Sequence, residues 1–161
     1  MSMIGEYVRL TPAELERALG DPAWAWEFVE ELRDAEPADA RCHSTDKAWD
    51  AVGFLTRRAG FPVDIVHGEQ AVPWDEHWGY GPPRYLTPDQ VRAAAEVMAA
   101  TEGDRLTAGV GPADLAREQV YPATIWERGE TLDHVVLHYE ALRPFFRDAA
   151  GAGDAVMVWI S

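Results

Sequence analysis

Two imidazoles and three carboxylates fall within eleven residues near the middle of the chain, in the segments 67–69 (HGE) and 75–77 (DEH). Such side chains could converge on a divalent metal ion or form an acid–base pair. The spacing matches no closed metal-binding signature, and residues on an irregular loop need not converge. We therefore interpret the segment as a solvated acidic loop, in which His67 and His77 are weak candidates for metal binding.

A second histidine pair, His134 and His138, lies four residues apart on a predicted helix. Residues at this spacing share one helix face, so both imidazoles could reach one zinc ion. The third ligand and the intervening glutamate of a metalloprotease helix are missing. The pair also flanks the apolar Val135 and Tyr139, as polar residues beside the buried stripe of an amphipathic helix do. We predict no metal site and keep His134 and His138 as weak candidates.

Cys42 and His43 could in principle form a nucleophile and its base. Neighbours in sequence seldom adopt the required geometry, and activation of a thiol needs positively charged surroundings. Arg41 is adjacent, but Asp39 and Asp46 are near as well. The pair is therefore not predicted to be catalytic.

The most distinctive stretch of the chain is WGYGPPRYLTP, from Trp78 to Pro88. It lacks the spacing of a phosphate-binding loop, and its glycines and prolines are typical of a sharp turn that directs the chain into a sheet. An arginine beside aromatic rings can hold a carboxylate or phosphate, and open sheets bind ligands beyond their strand ends. We favour the other interpretation, that the rings are core and that Arg84 pairs with an acid. The candidate ligand-binding residues are Trp78, Tyr80, Arg84, Tyr85 and Trp126.

Helix and strand patterns define the elements that must position these residues. Thr11-Pro12 and Thr87-Pro88 each precede a glutamate or glutamine at the third helical position, a combination that begins helices. Predicted helices begin at residues 12, 22, 46, 88, 112 and 131, and Pro144 should kink or split the last of them. Predicted strands are 4–10, 61–66, 84–86 and 155–160; residues 35–45 and 67–81 are predicted loops, and 120–122 and 125–126 extended or turn-like segments.

The last strand fixes the expected architecture. Ala155 to Ile160 is nearly all apolar, which is typical of a strand buried on both faces at the centre of its sheet. Strands at both ends of the chain with helices between them imply helices on both sides of that sheet. We predict an α/β fold over residues 1–161, a single domain of three layers, helix–sheet–helix, with a mixed sheet and a central C-terminal strand.

Composition limits the function classes. Fourteen basic and 28 acidic residues give a net charge of −14, which repels phosphate backbones and anionic lipid heads. We expect neither nucleic acid nor a membrane as partner, and no apolar stretch approaches the ~18 residues of a membrane span. No basic segment followed by an apolar run opens the chain, so we expect a cytoplasmic protein. A single cysteine excludes an intramolecular disulfide, and no cofactor is predicted.

Four motifs together span nearly the whole chain: Met3-Ile4-Gly5 followed by Tyr7, Asp46-Lys47-Ala48-Trp49, Gly79-Tyr80-Gly81-Pro82 running into Arg84-Tyr85-Leu86-Thr87-Pro88, and Tyr121-Pro122 with Ile125-Trp126. In these motifs the chain resembles the YfbM-like family, a bacterial domain family whose function has not been established. The resemblance implies a single-domain α/β fold of helix–sheet–helix layers, and it implies no reaction, cofactor or catalytic residue.

Two functions remain open. The first is a non-catalytic module that binds a protein or a small ligand through its Trp, Tyr and Arg side chains. The alternative is a small hydrolase- or transferase-like enzyme with a cleft around Gly79–Thr87, in which Arg84 holds an anion. Its base would be one of His67, Glu69, Asp75 or His77. The first is favoured because the sequence offers no set of nucleophile, base and orienting group. Neither the partner nor the oligomeric state is predicted.

Overall fold

The computed structural model describes residues 2–35, 39–76 and 78–161. A strand lies near each end of the chain, as predicted, and most of the helices lie between them. In chain order the elements are β1 (Gly5–Leu10), α1 (Pro12–Gly20), α2 (Pro22–Asp34), β2 (Cys42–Asp46), α3 (Trp49–Arg58), β3 (Gln70–Ala71), β4 (Arg84–Leu86), α4 (Pro88–Ala99), α5 (Gly103–Leu106), α6 (Pro112–Arg117), α7 (Ala123–Glu127), α8 (Asp133–Ala152) and β5 (Ala155–Ile160).

The five strands found in the described residues form one sheet in the order β2-β1-β5-β4-β3. The C-terminal strand β5 is central, as predicted. The prediction of a mixed sheet is wrong, because in the described residues every neighbouring pair of strands is antiparallel. Whether a strand runs parallel or antiparallel to its neighbour depends on the end of the sheet at which the preceding helix finishes. The apolar pattern of a doubly buried strand is the same for both directions, so it does not predict which one occurs.

Two hydrophobic clusters use alternate residues of β5. Val156 and Val158 belong to a cluster with residues of α3, α4 and α8, whereas Met157 and Trp159 belong to one with residues of α1 and α2. Successive strand residues point to opposite faces. The alternation therefore explains why β5 had to be apolar at nearly every position.

Both predicted capping boxes are present. The hydroxyl of Thr11 accepts the main-chain N–H of Glu14, and the Glu14 carboxylate accepts the N–H of Thr11 at 2.8 Å. Thr87 and Gln90 repeat this exchange at the start of α4. Each box satisfies two otherwise unpaired donors of a helix start. Because α1 follows β1 and α4 follows β4, the boxes fix where the chain leaves the sheet.

Several local predictions are corrected. Residues 42–46 form edge strand β2 and not a loop, because one-sided pairing with β1 requires no apolar run. Residues 61–66 form no strand, although Ile65 and Val66 are buried, so their apolar character reflects packing. Residues 125 and 126 lie in the short helix α7. Helix α8 passes Pro144 as one helix from Asp133 to Ala152 and is not split.

In the part of the chain that the structure describes, no helix combines the length and the apolar character needed to cross a membrane.

Candidate functional site

A cavity of about 430 Å³ opens where the C-terminal end of β5 meets the segment that leads into β4. This volume lies in the range of small-molecule sites. Most of its wall is apolar, and its polar side chains are those of His67, Tyr80 and Arg84. We call this space the Arg84 cavity. Its lining residues are Met3, Trp49, Val66, His67, Tyr80, Gly81, Pro82, Arg84, Val158, Trp159 and Ile160.

The glycine–proline turn forms one rim of the Arg84 cavity. Gly79 has a φ of +81°, and a Cβ atom on it would lie 2.4 Å from the carbonyl oxygen of Ile160. Only glycine accepts both this backbone conformation and this approach. The N–H of Tyr80 then donates to the same Ile160 oxygen at 2.9 Å. The turn is therefore fastened to the end of β5, with Tyr80 half exposed at the cavity mouth.

Arg84 contributes the positive charge of the cavity. It lies in β4 opposite Val158 of β5, and its Nε donates to the main-chain oxygen of His67 at 2.9 Å. Within residues 2–35, 39–76 and 78–161, no carboxylate lies within 4.0 Å of its guanidinium. The two terminal nitrogens of a guanidinium form a fork that matches carboxylate and phosphate oxygens. Because Nε makes the hydrogen bond to the His67 carbonyl, the two terminal nitrogens are available to a ligand.

His67 lines the same cavity and is oriented by Asp64. Its Nδ1 lies 3.5 Å from Asp64 Oδ2, while Asp64 Oδ1 accepts the main-chain N–H groups of Val66 and His67 at 3.0 and 2.9 Å. Burial would raise the pKa of Asp64, but the His67 side chain and the two N–H groups outweigh it and lower the pKa to about 2. Asp64 is therefore a carboxylate at neutral pH and holds one ring nitrogen of His67.

Trp49 closes the inner wall of the cavity and was not predicted as a site residue. Its ring stacks on Tyr121 at 5.6 Å and meets His67 edge-on at 5.9 Å. The indole N–H donates to the carbonyl oxygen of Met3 at 3.0 Å, which ties α3 to the segment before β1. A tryptophan at a helix start is usually core, so its sequence position carried no signal that it would face Arg84.

The predicted ligand-binding residues do not all lie at one site in the structure. Tyr80 and Arg84 line the Arg84 cavity, whereas Tyr85, one position along β4, packs in the cluster on the opposite face of the sheet. Trp78 is 1% exposed and lies in that opposite cluster against Trp159. Trp126 is 3% exposed and borders a different cavity, near Tyr121. Period-two alternation along β4 explains why neighbours in sequence separate.

Among the described residues of the acidic loop, His67 lines the Arg84 cavity. The Glu69 carboxylate accepts the main-chain N–H of Asp64 at 2.9 Å, which shapes the turn that carries His67. Asp75 and Glu76 are exposed. The predicted candidate His77 lies outside the described residues.

The remaining candidates lie around β2. His134 and His138 on α8 face Asp46 at the end of β2, and the three side chains approach closely. Cys42 is half-buried; burial and then the charge of Asp39 raise the pKa of its thiol, which opposes thiolate formation. The His43 ring packs against Phe145 and Tyr7. Sequence reasoning found the two α8 histidines but missed Asp46 as their neighbour.

Comparison with known proteins gives a family and a fold. A family model described as a domain of unknown function (DUF1877) matches residues 1–159. No curated protein matches the sequence. Among solved structures, the chain is similar to YfbM from Escherichia coli, a protein of unknown function, at 17% identity and a TM-score of 0.65, over 98% of this chain and 99% of that chain. At this identity the likeness shows the fold alone. The chain belongs to the DUF1877 family of domains of unknown function, which confirms the predicted YfbM-like resemblance.

Proposed function

We propose that this domain is a non-catalytic module that binds a small ligand carrying a carboxylate or phosphate group, with Arg84 as the anion-binding residue. The observation that carries the proposal is the set of partners that the Arg84 guanidinium has. The guanidinium is held at Nε by the His67 carbonyl, and no carboxylate within the described ranges pairs with it. Carboxylates outnumber basic groups two to one in this chain. An arginine left without one of them, beside an apolar cavity, is suited to an external anion.

The other walls of the Arg84 cavity indicate the shape of such a ligand. Trp49 and Tyr80 present aromatic surface, and Val66, Pro82 and Ile160 present aliphatic surface. Contact with these side chains stabilises the binding of flat or apolar groups, because removing apolar surface from water contributes roughly 25 cal/mol per Å² buried. The proposed ligand therefore has an apolar, preferably aromatic, body and one anionic end directed at Arg84.

The proposal is tested with two probes of this class, benzoate and phenyl phosphate, titrated into isotopically labelled protein. Saturable shifts of the Trp49 indole signal are expected for both anions, and none for benzamide, which keeps the ring without the charge. Arg84→Gln should abolish the response. Arg147→Gln, an exposed arginine on α8, should leave it unchanged. Lack of saturable binding, or equal binding by Arg84→Gln, would overturn the proposal.

A second candidate function is catalysis in the same cavity, and the Asp64–His67 pair favours it. A carboxylate that holds Nδ1 of an imidazole leaves Nε2 to act as a general base. Arg84 would hold the anionic part of the substrate, in a hydrolase- or transferase-like reaction. Turnover of p-nitrophenyl phosphate that disappears in His67→Gln would support this function. Binding of phenyl phosphate by wild-type protein without any such turnover would support the binding module.

We further propose that the chain forms one domain with helix layers on both faces of its sheet. Support comes from the two hydrophobic clusters, which take alternate residues of β5 and residues from different sets of helices. The sheet also joins β1 and β5, from opposite ends of the chain. A single cooperative unfolding transition, coincident by fluorescence and circular dichroism, is expected for such a unit.

A further inference from the structure

The strongest unassigned cluster lies where β2 ends against the first turns of α8. Asp46, His134 and His138 each offer one metal-ligating atom, and these atoms all lie within 4.8 Å of one another. His134 Nε2 is 3.8 Å from Asp46 Oδ2, and the two imidazole centroids are 4.5 Å apart. Donor atoms bound to a tetrahedral zinc at 2.0–2.1 Å stand about 3.3 Å apart. Small side-chain rotations close the difference.

We propose that Asp46, His134 and His138 form a binding site for a divalent transition-metal ion of the zinc type. Two imidazole nitrogens and one carboxylate oxygen are a donor set that zinc and its neighbours in the periodic table accept. The sequence predicted no metal, because the third ligand lies 88 residues before His134 and only the fold brings it to the histidines.

The backbone supports this assignment at both elements. His134 and His138 are four residues apart on α8, so one helix face carries both ligands. Asp46 has a φ of 49°, a left-handed conformation that is uncommon outside glycine. Its N–H donates to the Ser44 hydroxyl at 3.1 Å, which holds the turn. The conformation turns the chain at the end of β2 and brings the carboxylate beside His134.

The overall charge of the chain favours a cation at this cluster. The chain as a whole carries a charge of −14, which attracts cations. In the described part of the chain, no fourth His, Cys, Asp or Glu joins these three ligands. Water or an external ligand would complete the coordination.

A second cavity, of about 570 Å³, begins at this cluster. Asp46 and His134 line it together with Lys47, Tyr121, Trp126 and Glu130. An ion held by Asp46, His134 and His138 would therefore border space large enough for a small molecule. Among the described residues, none lines both this cavity and the Arg84 cavity. Trp126, predicted from sequence as ligand-binding, borders the second cavity instead.

The test is calorimetric titration of ZnCl₂ into untagged protein freed of metal by chelator. One zinc ion per chain is expected, and CoCl₂ should give the visible absorption of a cobalt–imidazole complex. Removing even an outer-shell partner of a metal site costs about 10–100-fold in affinity. His134→Ala, His138→Ala and Asp46→Asn should therefore each weaken zinc binding by at least about tenfold. Asp46 is replaced by asparagine because asparagine tolerates the left-handed backbone conformation of this residue.

His67→Gln provides the matched control, because it removes a histidine from the Arg84 cavity and should leave zinc binding unchanged. Since His134 is about half exposed, its alanine variant should keep the wild-type circular dichroism spectrum and urea midpoint. Failure of wild-type protein to take up zinc in a saturable one-to-one ratio would overturn the proposal. So would unchanged affinity in His134→Ala and His138→Ala. Neither result bears on anion binding at Arg84, which is measured with phenyl phosphate and no metal.

Discussion

Arg84 donates from Nε to the main-chain oxygen of His67 at 2.9 Å, across the wall of the Arg84 cavity. The bond joins β4 to the turn that Asp64 organises, and it fixes the plane of the guanidinium. Because the carbonyl uses one nitrogen only, the two terminal nitrogens keep their hydrogen-bonding capacity. In this arrangement Nε holds the side chain in place, and the two terminal nitrogens are the ones we propose to bind the ligand.

Arg84→Lys separates charge from geometry. An ammonium keeps the positive charge, but its single nitrogen lacks the planar fork that can bind two anion oxygens while Nε stays on the His67 carbonyl. Loss of one hydrogen bond to a charged group is worth about 1.5–3 kcal/mol, so the Kd for phenyl phosphate should rise at least tenfold. Arg84→Gln, which also loses the charge, should bind more weakly still. Equal affinity of Arg84→Lys and wild-type protein, measured by calorimetry, would contradict the role of the fork.

Gly79→Ala tests the turn that borders the cavity. Alanine at a φ of +81° costs about 1–2 kcal/mol, and its Cβ would lie 2.4 Å from the Ile160 carbonyl oxygen. We expect a loss of about 2–3 kcal/mol in the free energy of unfolding, measured in urea. Gly81→Ala is the control, because a Cβ there would meet no atom of the described residues within 4 Å. Similar losses in both variants would show that the close approach at Gly79 is not the cause.

Patterns within one segment predicted most of the elements correctly. The Thr11 and Thr87 capping boxes and the apolar Ala155–Ile160 strand each carry their signal in adjacent residues. Strand β2 was missed because a polar edge strand has no such pattern, and its partner β1 lies more than thirty residues away. Strand direction was predicted wrongly for the same reason: pairing between distant segments decides it.

The candidate site was predicted only in part, because it is assembled from distant segments. Arg84 and Tyr80 stood out beside the glycine–proline turn, but Trp49 reaches the cavity from α3. Trp78 and Tyr85 were assigned to the same surface, although they pack on the opposite face of the sheet. Proximity in sequence therefore placed Tyr80 and Arg84 at one cavity but did not separate them from Trp78 and Tyr85, whose side chains lie on the other face.

Trp78→Ala tests the packing role of this ring. The side chain is 1% exposed and contacts Trp26, Trp74 and Trp159 at centroid distances of 5.0–6.3 Å. Truncation of a buried tryptophan costs about 3–5 kcal/mol, and a loss of this size is expected in urea unfolding. Trp26→Ala, at a ring that is 36% exposed, should cost less. The milder Trp78→Phe should retain phenyl phosphate binding; if it abolished that binding, Trp78 would belong to the ligand site after all.

Asp64→Asn tests the carboxylate that orients His67, through the pH dependence of stability. The pKa of Asp64 is about 2 in the folded protein, against 3.8 for an ordinary aspartate. A lowered pKa means that the folded state favours the ionised form. The stabilisation is therefore complete above about pH 4 and is lost as the pH falls through about 2. Its size at neutral pH is roughly 2 kcal/mol, from about 1.4 kcal/mol per pKa unit.

The difference in unfolding free energy between wild type and Asp64→Asn should therefore be roughly 2 kcal/mol at neutral pH and shrink toward zero between about pH 4 and pH 2. Taking the difference removes the contribution of other carboxylates that titrate in the same range. Asp75→Asn, at an exposed aspartate, should show no such pH-dependent gap. A gap that stays constant down to pH 2 would mean that the hydrogen bonds to Asp64, and not its charge, stabilise the turn that carries His67.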